Sequence, residues 1–353
     1  MADLEFYRGK KVFVTGHTGF KGSWLSAWLH ALGAHVQGYA LPPTDYQTLY
    51  RDIWPNLPFK STWGDVRDRQ LLQRELLDFQ PDVIFHMAAQ PLVRYSYQQP
   101  LETFEVNVMG TANVLEPLQQ LAKPCAVVVI TTDKVYENYE WDYPYREVDR
   151  LGGHDPYSTS KAAAELVVSS FRNSFFSLPN RVANIRLATA RAGNVIGGGD
   201  YSPDRLVPDI VKAFAKGETV VIRNPQSVRP WQHVLEPLSG YLQLGSQLHR
   251  AGFDQAWNFG PPAEDTLTVQ ELVELALQHW RGGRYEVARS EGQPHEAKLL
   301  KLDSSRAIEQ LGWKPKWNAA QAVEATLNWY KQYQAGAKAF ELLHHDIQSY
   351  QTA

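Results

Sequence analysis

Tyr157 and Lys161 stand four residues apart, a spacing that puts both on one face of a helix, where an ammonium favours the ionised form of a phenol. Such a pair can take the proton of an alcohol while the carbon that bears it is oxidised. Spacing alone is a weak signal: the chain holds 17 tyrosines, and Tyr7/Lys11 has the same interval. Context separates them. Tyr7/Lys11 leads into an apolar strand pattern, whereas Tyr157/Lys161 opens a helical pattern after the apolar run 126–131 and its loop. Directly past that run, Thr132-Asp133-Lys134 sets a hydroxyl, an acid and an amine where a sheet-edge site would lie. Polar clusters at such places often serve only as solvated loop, and it is the nearby Tyr157/Lys161 that favours chemistry.

A second motif is Thr15-Gly16-His17-Thr18-Gly19-Phe20-Lys21-Gly22, between a strand pattern and a helical one. Glycines there permit a tight turn and let the backbone approach a diphosphate, whose charge the helix N-terminus stabilises. The spacing differs from the common GxGxxG. The following strand ends Gly38-Tyr39-Ala40-Leu41. It offers neither the acid that holds the adenosine ribose of NAD nor an arginine suited to a 2′-phosphate. Asp65, in Gly64-Asp65-Val66, is a candidate for an adenine contact or simply a turn residue.

Positioning these groups calls for alternating strands and helices. Strands are expected at 11–15, 35–39, 83–87, 126–131 and 182–187, and helices at 23–32, 68–79, 101–121 and 158–175. That alternation predicts an α/β fold, a Rossmann-type doubly wound parallel sheet. After about residue 188 the pattern loosens around Gly197-Gly198-Gly199-Asp200, with helices expected at 206–215, 267–280 and 319–333 and strands at 219–222 and 256–259. The 353 residues exceed the roughly 250–300 at which single cores stop growing. The division expected is a Rossmann domain over 1–188, completed by segments around 219–258, and a smaller, discontinuous C-terminal mixed α/β substrate lobe over 189–353.

A net charge of −3 argues against nucleic acid or an anionic membrane as partner. No apolar run approaches the roughly 18 residues of a membrane span, and the N-terminus does not read as a signal peptide. Cys125, the single cysteine, rules out an intrachain disulfide and suggests a reducing, cytoplasmic setting. No metal-ligand cluster stands out.

Taken together, the motifs resemble the extended short-chain dehydrogenase/reductase superfamily over nearly the whole chain. Within it, Thr132-Asp133-Lys134-Val135-Tyr136 is similar to the active-site stretch of nucleotide-sugar 4,6-dehydratases. The epimerases and decarboxylases of the superfamily usually lack the Asp, and the dTDP-glucose dehydratases carry Glu in place of Lys134. Acid then lysine, with the glycine turn and Arg229-Pro230-Trp231-Gln232-His233, resembles the branch acting on CDP-glucose in bacterial dideoxysugar and O-antigen biosynthesis. The resemblance implies NAD retained through each turnover, a CDP-sugar substrate, and a homodimer or homotetramer built through Rossmann-domain helices.

It also implies roles for residues. Gly16, His17, Gly19, Phe20, Lys21 and Gly22 would hold the cofactor's diphosphate end, with Asp65, Val66, Ala88 and Asn107 further along it and Tyr157 and Lys161 at its reactive end. Asn107 would also order the active-site helices. Thr132, Asn194, Arg229, Asn258 and Glu296 would contact substrate, Arg229 at the diphosphate. Tyr157 would act as base at the sugar 4-hydroxyl, Asp133 as acid for the departing 6-hydroxyl and Lys134 as base at C5, although a base must be neutral and Asp133 favours the ammonium. His17 in place of a small residue and Ala40 in place of the ribose-binding acid would loosen the cofactor. The competing readings are an epimerase or decarboxylase on the same fold and a noncatalytic dinucleotide-sensing regulator.

Overall fold

The computed structural model describes residues 4–177, 184–222, 224–280, 282–288 and 299–353. Seven strands form its central sheet: β1 (Lys11–Thr15), β2 (His35–Ala40), β3 (Lys60–Trp63), β4 (Val83–His86), β5 (Cys125–Ile130), β6 (Ile185–Ala192) and β7 (Ala256–Phe259). Their order is β3-β2-β1-β4-β5-β6-β7, every pair parallel. This is the doubly wound α/β arrangement expected. The winding reverses between β1 and β4, which opens a crevice beyond the carboxyl ends of those strands.

Side-chain alternation feeds two cores, one on each face of the sheet. Val12, Val14, Phe85, Val128 and Ala188 enter one, while Phe13, Ile84, Val127, Val129 and Leu187 enter the other. Helices cover both faces, so Cys125–Ile130 reads as an unbroken apolar run. The helix carrying Tyr157 runs from Pro156 to Phe171; the Asp155 carboxylate accepts from the Ser158 N–H at 2.9 Å, and proline at the first position leaves no donor unpaired.

Several elements differ from the pattern-based expectation. β3 is an edge strand of sequence Lys-Ser-Thr-Trp, too polar to announce itself. Residues 182 and 183 of an expected strand lie outside the described residues, and β6 runs on to Ala192, past 188. The segment expected as one helix over 101–121 is a series: Pro100–Phe104, a wide turn at Glu105–Met109, Gly110–Leu115 and a tight turn at Glu116–Gln120, where Pro117 lacks the N–H a regular helix would use. Strand Ala256–Phe259 joins the central sheet, but Thr219–Ile222 pairs with Arg284–Val287 in a separate two-stranded sheet. Helix Leu235–Gln247 lies outside the expected elements: Glu236, Ser239, Gln243 and Ser246 share one face, but that face is almost wholly buried and Pro237, Gly240 and Gly245 interrupt the helical signal. No helix among the described residues is long and apolar enough to cross a membrane, and no cluster of three or more His, Cys, Asp or Glu among them could hold a metal.

Candidate active site

The glycine turn joins β1 to helix Phe20–Ala31. Gly16 has φ of 74°, and a Cβ there would stand 2.7 Å from the Ala88 backbone nitrogen, so Ala88 backs the turn and only glycine fits it. A Cβ on Gly22 would overlap the Gly16 carbonyl. Gly19, at the helix start, leaves its outer side open: a Cβ there would meet nothing nearer than the Gly16 carbonyl oxygen at 3.4 Å. The helix N–H groups therefore face a concavity that fits a dinucleotide diphosphate. The Phe20 ring lies against Gly197 of the C-terminal lobe.

His17, expected at the diphosphate, is placed differently. Its buried ring fills the space over Gly38, stacks on Trp63 and shares a 2.6 Å hydrogen bond with the Ser61 hydroxyl. The missing side chain of Gly38 makes the hole that the imidazole fills. Burial pushes its pKa down to about 4, so the ring is neutral near pH 7. Asp65 accepts from the Arg67 backbone at 2.8 Å and from its guanidinium at 2.7 and 3.0 Å. Burial opposes its ionisation, but Arg67 prevails and holds the carboxyl below its usual range. Val66 is buried against Gly110.

β5 delivers Thr132 and the tight turn Asp133–Val135 to the sheet edge. The Thr132 hydroxyl donates to the Asp133 carboxylate at 3.0 Å and lies beside the Tyr157 phenol, whose ionised form it favours. Lys161, one turn along from Tyr157, donates to the Ile130 carbonyl at 3.0 Å. Another turn on, Glu165 accepts from the Thr131 and Thr189 hydroxyls at 2.6 and 2.7 Å and from two arms of Arg191 at 2.9 and 3.0 Å. Catalytic helix and strand end are thus locked together.

Burial drives Lys161 down to about 8, with the Glu165 charge opposing. It drives Tyr157 up to about 12, against the influence of Thr132 beside it. The expected lowering of the phenol by Lys161 is therefore corrected: the ammonium is anchored on the Ile130 carbonyl, and burial dominates at the phenol. Burial also pushes the Asp133 carboxyl above its usual range despite Lys134, Thr132, Arg229 and Lys21 around it. A carboxyl held that way suits an acid that gives up a proton.

Arg229, on strand Val228–Arg229 of the C-terminal lobe, is brought within electrostatic reach of Asp133. Asn194 follows Gly193, which faces the same carboxylate. One of the two other asparagines is corrected. Asn258 is buried and spent on the fold: its oxygen accepts from the Tyr136 hydroxyl at 2.8 Å, and its nitrogen donates to the Tyr145 and Asp303 carbonyls at 2.9 and 3.1 Å. Asn107 sits in the wide turn and bonds Gln90 at 2.9 and 3.1 Å and the Ser160 hydroxyl at 2.8 Å, contacts that tie the helices together as expected and spend both of its N–H groups. Glu296 lies outside the described residues.

Sequence reasoning missed His86, Arg205 and Tyr241. His86 ends β4 and bonds the Thr15 and Thr111 hydroxyls at 2.7 and 3.1 Å; a histidine closing a buried strand at the winding reversal was the available signal. Arg205 precedes helix Leu206–Lys216 and acts electrostatically on Tyr157 and Lys21. Tyr241 lies on the unforeseen helix Leu235–Gln247 and feels Tyr157 and Asp133.

A glycine cradle at the winding reversal and a Tyr–Lys pair across the next strand ends define an enzyme of the dinucleotide-dependent Rossmann class. Residues 13–326 match the GDP-mannose 4,6 dehydratase family, and the chain belongs to that family. It is 48% identical to the CDP-glucose 4,6-dehydratase of Salmonella typhimurium, over 100% of this chain and 99% of that protein. A dTDP-glucose 4,6-dehydratase of Xanthomonas campestris is 25% identical over 76% of this chain and 77% of its own. Among solved structures, the dTDP-glucose 4,6-dehydratase of Streptomyces venezuelae with NAD bound superposes with a TM-score of 0.76 at 25% identity, covering 94% of this chain and 99% of that one. An epimerase from Methanothermobacter thermautotrophicus shares the fold with a TM-score of 0.81 at 21% identity, covering 97% and 96%.

Proposed function

We propose that this protein is an NAD-dependent CDP-glucose 4,6-dehydratase, converting CDP-D-glucose to CDP-4-dehydro-6-deoxy-D-glucose. The observation that carries the reading is the juxtaposition of Tyr157 with the hydrogen-bonded Thr132 and Asp133, with Lys134 on the same turn. Full-length likeness to a CDP-glucose 4,6-dehydratase supports the choice of substrate. An epimerase has no need of an acid at a departing hydroxyl, and Asp133 is held as one.

NAD, held by Gly16, Gly19 and Gly22 with Lys161 at the reactive end, supplies when bound the hydride acceptor for C4 and the donor for C6. As its phenolate, which the cationic nicotinamide would favour when NAD is bound, Tyr157 takes the proton of the 4-hydroxyl, and Thr132 holds the same oxygen. The ketone acidifies C5–H; Lys134 takes that proton and Asp133 gives its own to the departing 6-hydroxyl, which leaves as water. The sheet edge supplies these groups from one turn and one helix, so positioning is inherited from β5. Asn194 and Arg229 meet the substrate's nucleotide diphosphate side.

We read the assembly as a homodimer or homotetramer formed through the Rossmann-domain helices, where Leu101, Met109 and Leu166 are 77%, 55% and 61% exposed. The reducing cytoplasm fits the single cysteine, Cys125. The deciding experiment incubates the protein separately with CDP-glucose and dTDP-glucose, with and without added NAD, and identifies products. A 4-keto-6-deoxy sugar from CDP-glucose alone is expected; a C4 epimer or a decarboxylated product refutes the reading.

A further inference from the structure

We propose that Arg191 and Tyr136 are positioning residues that hold the acid and base of the elimination, Asp133 and Lys134, in register with the helix that carries Tyr157. The inference rests on the dehydratase reading and deepens it. One sugar must meet two sets of groups in a turnover: Tyr157 and Thr132 at C4, then Lys134 at C5 and Asp133 at C6. These groups come from helix Pro156–Phe171 and from the turn that follows β5. A misplacement of about 1 Å can cost about 10²-fold in rate, so the spacing of helix and turn has to be fixed. The residues on either side of the turn do this. Before it, the Thr131 hydroxyl donates to Glu165 at 2.6 Å, and Glu165 stands one helical turn beyond Lys161. After it, the Tyr136 hydroxyl accepts from Arg191 at 2.7 Å and donates to Asn258 at 2.8 Å. Arg191, on β6, closes the circuit by gripping the Glu165 carboxylate with its other two nitrogens at 2.9 and 3.0 Å. One ion pair thus holds both flanks of the turn, and one of its members belongs to the catalytic helix.

Arg191, Glu165 and Tyr136 are 3%, 5% and 2% exposed. A buried ion pair is a weak source of stability, because desolvation of the two charges offsets their attraction. What this one adds is direction. A guanidinium is a planar fork that can grip a carboxylate with two arms and still present a third, whereas a lysine ammonium is a single point of charge. The third arm also reaches the Glu147 carbonyl at 3.2 Å, and the Tyr136 ring stacks on Tyr145 with centroids 5.1 Å apart, so the phenol is aimed from both ends. The two flanks serve different steps. Thr132 adjoins Thr131, on the flank that Glu165 holds, while Asp133 and Lys134 lie between Thr132 and Tyr136. Loss of the contact between Arg191 and Tyr136 therefore leaves the C4 end of the turn held and frees the end that serves C5 and C6.

The test compares Tyr136→Phe, Arg191→Lys and the double variant with the native protein, at saturating NAD, in single turnovers on CDP-glucose. Bound-NADH formation reports C4 oxidation, and its later decay reports elimination with C6 reduction. Tyr136→Phe keeps the ion pair and the stacked ring. It should form NADH within about twofold of the native rate, with NADH decay and solvent exchange at C5 each slowed at least about tenfold. Arg191→Lys keeps a charge beside Glu165 without the fork and should show the same selective slowing. Both changes remove one contact, so the double variant should be no slower than the slower single variant. Native decay in Tyr136→Phe, equal slowing of NADH formation and decay, or slowing that multiplies in the double variant overturns the proposal. Failure of the native protein to form NADH refutes the dehydratase reading instead.

Discussion

Tyr157/Lys161 and Tyr7/Lys11 share residue types, spacing and a buried phenol, and they sit at opposite ends of the sheet. Tyr7 closes a tight turn, Leu4–Tyr7, and its hydroxyl donates to the Leu242 carbonyl at 2.6 Å; Lys11 starts β1 and reaches the Phe79 carbonyl at 3.2 Å. No helix holds that pair on one face, and β1 carries the chain away from it. Tyr157 and Lys161 share a helix face at the carboxyl ends of β5 and β6, where Thr132 and the Ile130 carbonyl receive them. Spacing becomes chemistry only when a helix phases it and strand ends meet it.

The comparison can be broken from either side. Lys161→Met is expected to slow bound-NADH formation by about 10²-fold or more. The native rate should also bend downward as pH rises through about 8, because the ammonium is present below that pH and lost above it, and the bend should vanish in the variant. Stopped-flow absorbance measures both, and a variant with native rate and profile would remove Lys161 from the site. Lys134→Ala should keep bound-NADH formation and slow solvent exchange at C5 by about 10²-fold, the usual contribution of a positioned base; unchanged exchange takes the base role away from it. At the other end of the sheet, Tyr7→Phe leaves a buried carbonyl without its donor. Thermal unfolding should show a loss of about 1–3 kcal/mol while turnover stays native. Lys11→Met should change stability by less than about 0.5 kcal/mol. Impaired turnover in either variant would make the two pairs less different than their surroundings indicate.

Much of this was legible in the sequence because it is local. The glycine turn and the apolar run of β5 each announce themselves within a few residues. What was not legible depends on distant partners. His17 packs over a hole made by Gly38, a vacancy no local pattern reveals. Asn258 was read as a ligand contact, since an amide serves a ligand and a backbone equally well; its partners, Tyr145 and Asp303, decide the matter. β3 pairs at a polar edge, and helix Leu235–Gln247 carries Pro237, Gly240 and Gly245, residues that disguise a helix, so Tyr241 stayed hidden. The phenol's pKa was misjudged for a related reason: helix spacing says that Lys161 is near, and the carbonyl it bonds is set by tertiary packing.

The central claim is that Tyr157 starts the reaction by taking the 4-hydroxyl proton. A single turnover of Tyr157→Phe with NAD and CDP-glucose, followed by the absorbance of bound NADH, tests it most directly. The variant should bind both molecules and form no NADH on the native timescale, whereas NADH appearing at the native rate would contradict the account.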